Sequence, residues 1–235
     1  MFVEGQTELI FVREFLLKWY HYSDVCIRCF HLRAGHYETA EYDFGNLEAS
    51  NTYQIIDVGN DNMVLSIMIK RAEKLISTGF NLVIGLRDMY SQAYRLKSST
   101  INEAITKSFI ETANSTLKES VPASIHSQIS IHYAIMEVES WILALSNALQ
   151  RANPELTREV MRKVGVLPAF RIEREIFHPA ETLDVLMRKC GKSYDKHKDQ
   201  VNSIIAAFTK EDFIYLYKSN ASQSYNKFII KIVDI

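Results

Sequence analysis

The sequence predicts an α/β fold: a mainly parallel central sheet flanked by helices, with a helical C-terminal portion. Three observations carry this. Short apolar runs end abruptly at charged residues, as in Phe80-Asn81-Leu82-Val83-Ile84-Gly85-Leu86-Arg87-Asp88, and a run of that length suits a central parallel strand buried on both faces. Segments with helical periodicity separate these runs, and strands alternating with helices build a parallel sheet. From about Asn147 onward the strand signal fades, returning only at Phe228 to Val233. The expected division is an α/β domain over residues 1–146 and a mostly helical extension over 147–235 packed on it.

Phe2-Val3 reads as a short buried strand that stops at Glu4 and Gly5. A tight turn at Gly5 and a helix from near Thr7 follow, with Thr7 as N-cap. Leu9, Phe11, Val12, Phe15, Leu16 and Trp19 are spaced for one buried face. Val25 to Leu32 is rich in branched and aromatic residues, a second strand. Arg33 to Asn51 has no clear period and reads as a loop or an edge hairpin. Thr52 to Val58 is a further strand, and Gly59-Asn60-Asp61-Asn62 is both a turn and a helix start. The next helix places Met63, Ile67, Ile69, Ala72, Leu75 and Ile76 on its apolar side, with Gly79 as C-cap. Beyond the strand ending at Asp88, a helix over Thr100 to Lys118 is broken by Pro122. Gln128 to Glu137 is a strand that passes into a helix from Val138 to Leu145. Pro154, Pro168 and Pro179 punctuate the C-terminal helices.

A net charge of −1 excludes a globally basic nucleic-acid binder, so any phosphate-contacting surface must be local. The densest basic segment is Arg188-Lys189-Cys190-Gly191-Lys192-Ser193-Tyr194-Asp195-Lys196-His197-Lys198, which is either a solvated loop or a phosphate contact. No stretch approaches the ~18 uninterrupted apolar residues of a membrane span, and the N-terminus lacks a secretory layout. Cys26-Ile27-Arg28-Cys29 has metal-site spacing, yet no matching second ligand pair is present and its neighbours are strand-like. Buried structural thiols in a reducing, cytoplasmic setting are expected.

Chemistry enters at the strand ends. Glu4, Asp88 and the pair Glu137 and Glu139 all fall where a strand stops. In a parallel sheet those ends share one edge, the edge where ligands bind in open α/β folds. Glu8 follows in the first helical turn. A glutamate there is favoured by the helix dipole alone, whereas Glu4, beside a glycine, has no evident packing role. Carboxylates gathered at one edge repel unless cations neutralise them, and Mg²⁺ or Mn²⁺ takes oxygen ligands. A metal so held orients a phosphodiester, stabilises the leaving oxygen and acidifies water.

Glu4-Gly5-Gln6-Thr7-Glu8 after a strand, with a later hydrophobic strand ending at Asp88, resembles the TOPRIM fold. The likeness is greatest to OLD-type nucleases and the small stand-alone TOPRIM proteins related to them. Glu137-Val138-Glu139-Ser140-Trp141, Phe177-His178-Pro179-Ala180 and Ser222-Gln223-Ser224-Tyr225-Asn226-Lys227-Phe228 also resemble segments of the small members. By matching motifs, the resemblance implies Glu4 and Glu8 as the first metal-binding motif and Asp88 as the second. It implies a Mg²⁺- or Mn²⁺-dependent nuclease of DNA or RNA, with Glu4, Asp88 and Glu137 catalytic and Glu139 a further metal ligand. Water would attack phosphorus with one or two ions held there.

The family's second motif is commonly Asp-x-Asp, but here it is Asp88-Met89-Tyr90. Either Glu137 or Glu139 supplies the missing acid, or one ion is lost, or the chain is an inactive interaction or sensor module. The resemblance also implies antiviral defence alongside an ABC-type ATPase. No Gly-x-x-x-x-Gly-Lys-Ser/Thr occurs here, so that ATPase is expected as a partner protein. Arg87, Arg95, Lys192, Lys196 and Lys198 are the candidate nucleic-acid contacts. Tyr90 and Tyr94 either stack on bases or pack in the core, and His132 and His178 are acid–base groups or structural. The helical C-terminal portion offers a face for a homodimer.

Overall fold

A computed structural model describes residues 1–166 and 172–233. In chain order the elements are β1 (Phe2–Val3), α1 (Gln6–Trp19), β2 (Val25–Arg33), β3 (His36–Thr39), β4 (Asn51–Asp57) and α2 (Asp61–Ser77). There follow β5 (Val83–Asp88), α3 (Gln92–Arg95), α4 (Glu103–Ser120), a 3-10 turn over Ala123–Gln128, β6 (Ile129–Ala134) and α5 (Glu139–Ala144). The remainder of the described chain is helical: α6 (Ser146–Ala152), α7 (Arg158–Lys163), α8 (Ile172–Glu175), α9 (Pro179–Arg188), α10 (Lys198–Ile205), α11 (Lys210–Ser219) and α12 (Gln223–Ile229). Pro168 lies outside the described residues. The expected α/β class is what the chain adopts.

The sheet has six strands in the order β3-β2-β4-β1-β5-β6. All pairings are parallel except β3 on β2, the edge hairpin. Register places Val3 opposite both Asp57 and Leu86, and Asp88 opposite Ala134. The carboxyl ends of β1, β4, β5 and β6 therefore form one edge.

Alternation along the strands divides the core in two. Val3, Ile55, Ile84 and Leu86 face α1 and the C-terminal helices, while Phe2, Ile56, Val83 and Ile131 face α2 and α4. Helix α1 is buried almost all round, from Thr7 to Val12 and again over Phe15 to Lys18. It is covered on its outer side by α10 and α11. Trp141 of α5 lies within the same core, stacked on Phe228, tilted against Phe11 and edge-on to Tyr225. Cys26 and Cys29 are free, buried thiols, and burial pushes Cys29 up to about 12. No described helix is long and apolar enough to cross a membrane.

Several expectations are corrected. Helix α1 begins at Gln6 with Gly5 as N-cap, so Thr7 is a buried first-turn residue and not the cap. Gly5 is extended (φ −155°), so the chain runs straight from strand to helix without a left-handed turn. What a side chain at Gly5 would meet is Glu8, whose Oε2 lies 3.3 Å from the position of a Cβ. Helix α2 turns Val64, Met68 and Ala72 inward and leaves Met63 exposed, because its contact is with Gly85 of β5. Gly79, with φ +102°, ends that helix as expected. Glu137 lies beyond β6 rather than on it. Phe228 to Val233 is helix and turn, since Ser222 caps α12 and Tyr225, Phe228 and Ile229 supply a helical apolar stripe.

Gly85 lets α2 pack directly on the sheet: a Cβ there would lie 2.2 Å from Met68 Sδ and 3.0 Å from Val64 Cγ1. Gly85→Val is expected to cost about 1–3 kcal/mol through overpacking, read as a lower urea midpoint. Met68→Ala in the same chain should recover part of that loss, and failure to do so would place the strain elsewhere.

Candidate functional site

The carboxyl edge of the sheet gathers the acids that the strand ends suggested. Glu4 follows β1 and accepts the Asp88 backbone N–H on Oε2 at 3.0 Å. Asp88, the last residue of β5, is buried and accepts the Val138 N–H on Oδ1 at 3.0 Å. Glu137 sits in the turn between β6 and α5 and accepts the Ala180 N–H on Oε2 at 2.9 Å. Glu139 opens α5, is fully buried, and accepts the Tyr194 hydroxyl on Oε1 at 2.8 Å. One oxygen from each of Asp88, Glu137 and Glu139 lies within 4.8 Å of the others. Glu8, buried in the first turn of α1, completes the group.

The cation within this group comes from the basic segment. Lys196 Nζ lies 2.9 Å from Glu137 Oε1 and 3.4 Å from Glu139 Oε1. Burial works against its ammonium form, but Glu139, Asp88, Glu137 and Glu8 together outweigh that and hold its pKa above the ordinary lysine value. The acids shift the opposite way. Burial, then the charges of Glu4 and Glu139, raises Glu8 to about 8. Burial, then Glu8 and Glu4, raises Asp88 well above the usual range. Burial raises Glu139 despite Lys196 beside it. Its Oε2 is buried with no hydrogen-bond partner among the described residues. Such an orphaned carboxylate oxygen is costly, and a hard divalent cation is the chemistry that satisfies it.

Backbone strain borders the site on two sides. Met136, just before Glu137, and Lys196 itself are non-glycine residues with φ near +60° (62° and 64°). Such conformations cost of order 1–3 kcal/mol each and cluster where side chains must be aimed.

The other sequence candidates divide. Arg87 alternates away from Asp88 onto the opposite face of β5, its guanidinium over the Tyr133 ring, so it does not share the acidic pocket. Arg95 is exposed at the rim, over Tyr90, which in turn packs on His178 and Phe177. Lys192 is exposed on the turn after α9, and Lys198 pairs with Glu41, away from the cluster. Tyr94 is fully buried, with its hydroxyl on Asn102 and Thr106, and is core. His132 is half-buried against Phe228, and desolvation, then Lys231 and Lys227, lowers it to about 4.

The later motifs turn out to support the site. Ala180 orients Glu137, while Trp141 Nε1 donates to Ser224 Oγ at 2.8 Å and to Glu173 Oε1 at 3.2 Å, which ties α12 to the helix that carries Glu139. Two features escaped the sequence reading. Tyr194, inside the basic segment, is a buried partner of Glu139. Asp57 ends β4 at the same edge and is bound by His31 Nδ1 at 2.8 Å and Arg33 at 2.9 Å; its strand-end position was the available signal.

No family model matches the chain, and neither a curated protein nor a solved structure gives a significant match. Nothing in these comparisons identifies a TOPRIM domain.

The raised Glu8 pKa fixes a pH dependence. Folded Glu8 holds its proton up to about 8, whereas the unfolded residue loses it in the ordinary carboxylate range. The stability this brings is complete below that range and is lost as pH rises through about 8. In EDTA the melting temperature should fall from about pH 6 to pH 9, with a shallower fall for Glu8→Gln. Equal slopes for the two proteins would show that Glu8 ionises normally.

Proposed function

We propose that this protein is a Mg²⁺- or Mn²⁺-dependent nuclease that hydrolyses phosphodiester bonds of DNA or RNA. The observation that carries the reading is Glu139 Oε2, buried and unpartnered among the described residues, beside Asp88 and Glu137 at the carboxyl edge of a parallel sheet. A surface network would leave its oxygens to water; this one is buried and short of positive charge.

Asp88, Glu137 and Glu139 would hold the ion, with Glu4 and Glu8 beside them. When bound, the metal supplies Lewis-acid stabilisation of charge on the phosphate and activates water for attack. The chain's own residues do the aiming. The Val138 and Ala180 backbone N–H groups each fix one oxygen of Asp88 and Glu137, and Tyr194 fixes one of Glu139. Glu4 ties the end of β1 to the end of β5 through the Asp88 N–H. Lys196 adds a fixed positive charge where charge develops on a transferring phosphoryl group. Arg95, exposed beside Tyr90 at the rim, would contact a flanking phosphate of a strand lying across the edge. Work in antiviral defence, with a separate ABC-type ATPase as partner, extends the same proposal.

One observation favours the rival reading, a catalytically inactive interaction or sensor module. Tyr90 occupies the place of a second acid and is packed on Phe177 and His178, so it offers no metal ligand.

Labelled DNA and total tRNA incubated with Mg²⁺, Mn²⁺ or EDTA separate the two. Cleavage with metal is expected, and Glu4→Ala and Asp88→Asn should each lower it about 100-fold or more, the scale of losing one preorganised electrostatic contact. No cutting by the wild type, alone or with a candidate ATPase, combined with no metal binding, would favour the inactive module.

A further inference from the structure

Lys196 is not a loop lysine that happens to reach the acids. The two residues before it are pinned: the Tyr194 N–H donates to Asp184 Oδ1 at 2.9 Å, and the Asp195 N–H to Gln200 Oε1 at 2.9 Å. Tyr194, two residues earlier, is itself anchored on Glu139. Directly after these anchors the backbone adopts a left-handed conformation at Lys196, which lysine seldom takes without a reason. The result is an ammonium held between Glu137 and Glu139.

The oxygens of the cluster are thereby apportioned. Backbone and tyrosine donors hold Asp88 Oδ1, Glu137 Oε2 and Glu139 Oε1, and Lys196 spans Glu137 Oε1 and Glu139 Oε1. Glu139 Oε2 is the buried oxygen of these residues left without a hydrogen-bond partner among the described residues. On the β5 side, where a second acid would serve a second ion, Tyr90 is turned into an aromatic contact. A two-ion site has its ions ~3.5–4 Å apart on shared carboxylates. Here one of those carboxylate positions already carries a tethered cation, and a further divalent ion would be repelled by it at contact range.

We infer that the site takes one divalent cation, on the Asp88 and Glu139 side, and that Lys196 Nζ permanently fills the position of a second. This rests on the reading of the cluster as a cation site, and it defines that site as one metal plus one lysine. Lys196 then neutralises Glu137 and Glu139 whether or not the metal is bound. Charge on a transferring phosphate would be met by two different cations, one exchangeable and one covalently tethered.

Counting ions tests this without reference to activity. EDTA-stripped full-length chain is titrated with Mn²⁺, and free Mn²⁺ is followed by electron paramagnetic resonance. The wild type should bind one ion per chain, and so should Lys196→Arg, which keeps the charge. Lys196→Asn removes the charge with a side chain suited to the left-handed backbone, and should bind two. Lys196→Met serves the same purpose if the Asn variant does not fold by circular dichroism. Two ions in the wild type would overturn the inference while leaving the cation site standing. One ion with unchanged affinity in the charge-removing variants would also overturn it. No bound ion in the wild type would overturn both the inference and the cation-site reading beneath it.

Discussion

Like charges buried together are the constraint on which this molecule is built. Asp88, Glu137 and Glu139 are each buried, and their nearest oxygens lie within 4.8 Å of one another. Water alone does not screen such a group, so the fold has to supply orientation and compensation. Orientation comes from backbone N–H groups at Asp88, Val138 and Ala180, each of which points at a neighbouring carboxylate. Compensation comes partly from Lys196 and partly from raised proton affinity at Glu8, Asp88 and Glu139. Protons and divalent cations compete for such groups, so the proposed metal would displace protons on binding.

That constraint gives the C-terminal helices their purpose. The strand ends supply Glu4 and Asp88, the turn after β6 supplies Glu137 and the start of α5 supplies Glu139, but the groups that aim or neutralise Glu137 and Glu139 come from later in the chain. Ala180 is at the start of α9, and Tyr194 and Lys196 lie between α9 and α10. Helix α12 adds a brace: Ser224 and Phe228 grip Trp141, which shares a short helix with Glu139. The described part of the chain after β6 is thus a wall of the candidate site, and many of its apolar residues belong to the same core as α1.

The fold was legible where periodicity and punctuation agreed. Within Phe80 to Asp88, Val83 to Asp88 is a buried strand because both of its faces are covered, while Asn81 and Leu82 before it are exposed; Gly79 reads as a helix stop because its φ of +102° suits glycine. Thr7 misled because N-cap preference is a local rule, whereas an extended Gly5 serves as the cap two residues sooner. Phe228 to Val233 misled because branched and aromatic residues serve a buried helix stripe as well as a strand. Of the site, the acids were legible as strand ends. Their partners were not: nothing local to Ser193-Tyr194-Asp195-Lys196 distinguishes a solvated loop from one clamped onto Glu139. Arg87 and Asp88 are adjacent in sequence yet face opposite sides of β5, so closeness along the chain was a poor guide to closeness in space.

A comparison within the same sheet edge shows why the cation reading attaches to Asp88 and not to every acid there. Asp57 is also a buried strand-end aspartate at that edge. Its Oδ2 is met by His31 at 2.8 Å and Arg33 at 2.9 Å, and its Oδ1 by the Gly59 N–H at 2.7 Å. Both oxygens are therefore satisfied by the chain itself, and the ordinary outcome for a buried charge has been reached. Around Asp88 the same fold assembles Glu4, Glu8, Glu137 and Glu139 with Lys196 as the cation reaching them, and leaves Glu139 Oε2 without a donor among the described residues. A protein able to neutralise one buried strand-end acid so fully did not do so at the next but one strand. The imbalance lies at the edge position where a phosphate-bearing ligand of a parallel sheet would lie, and the proposed cation site rests on that placement.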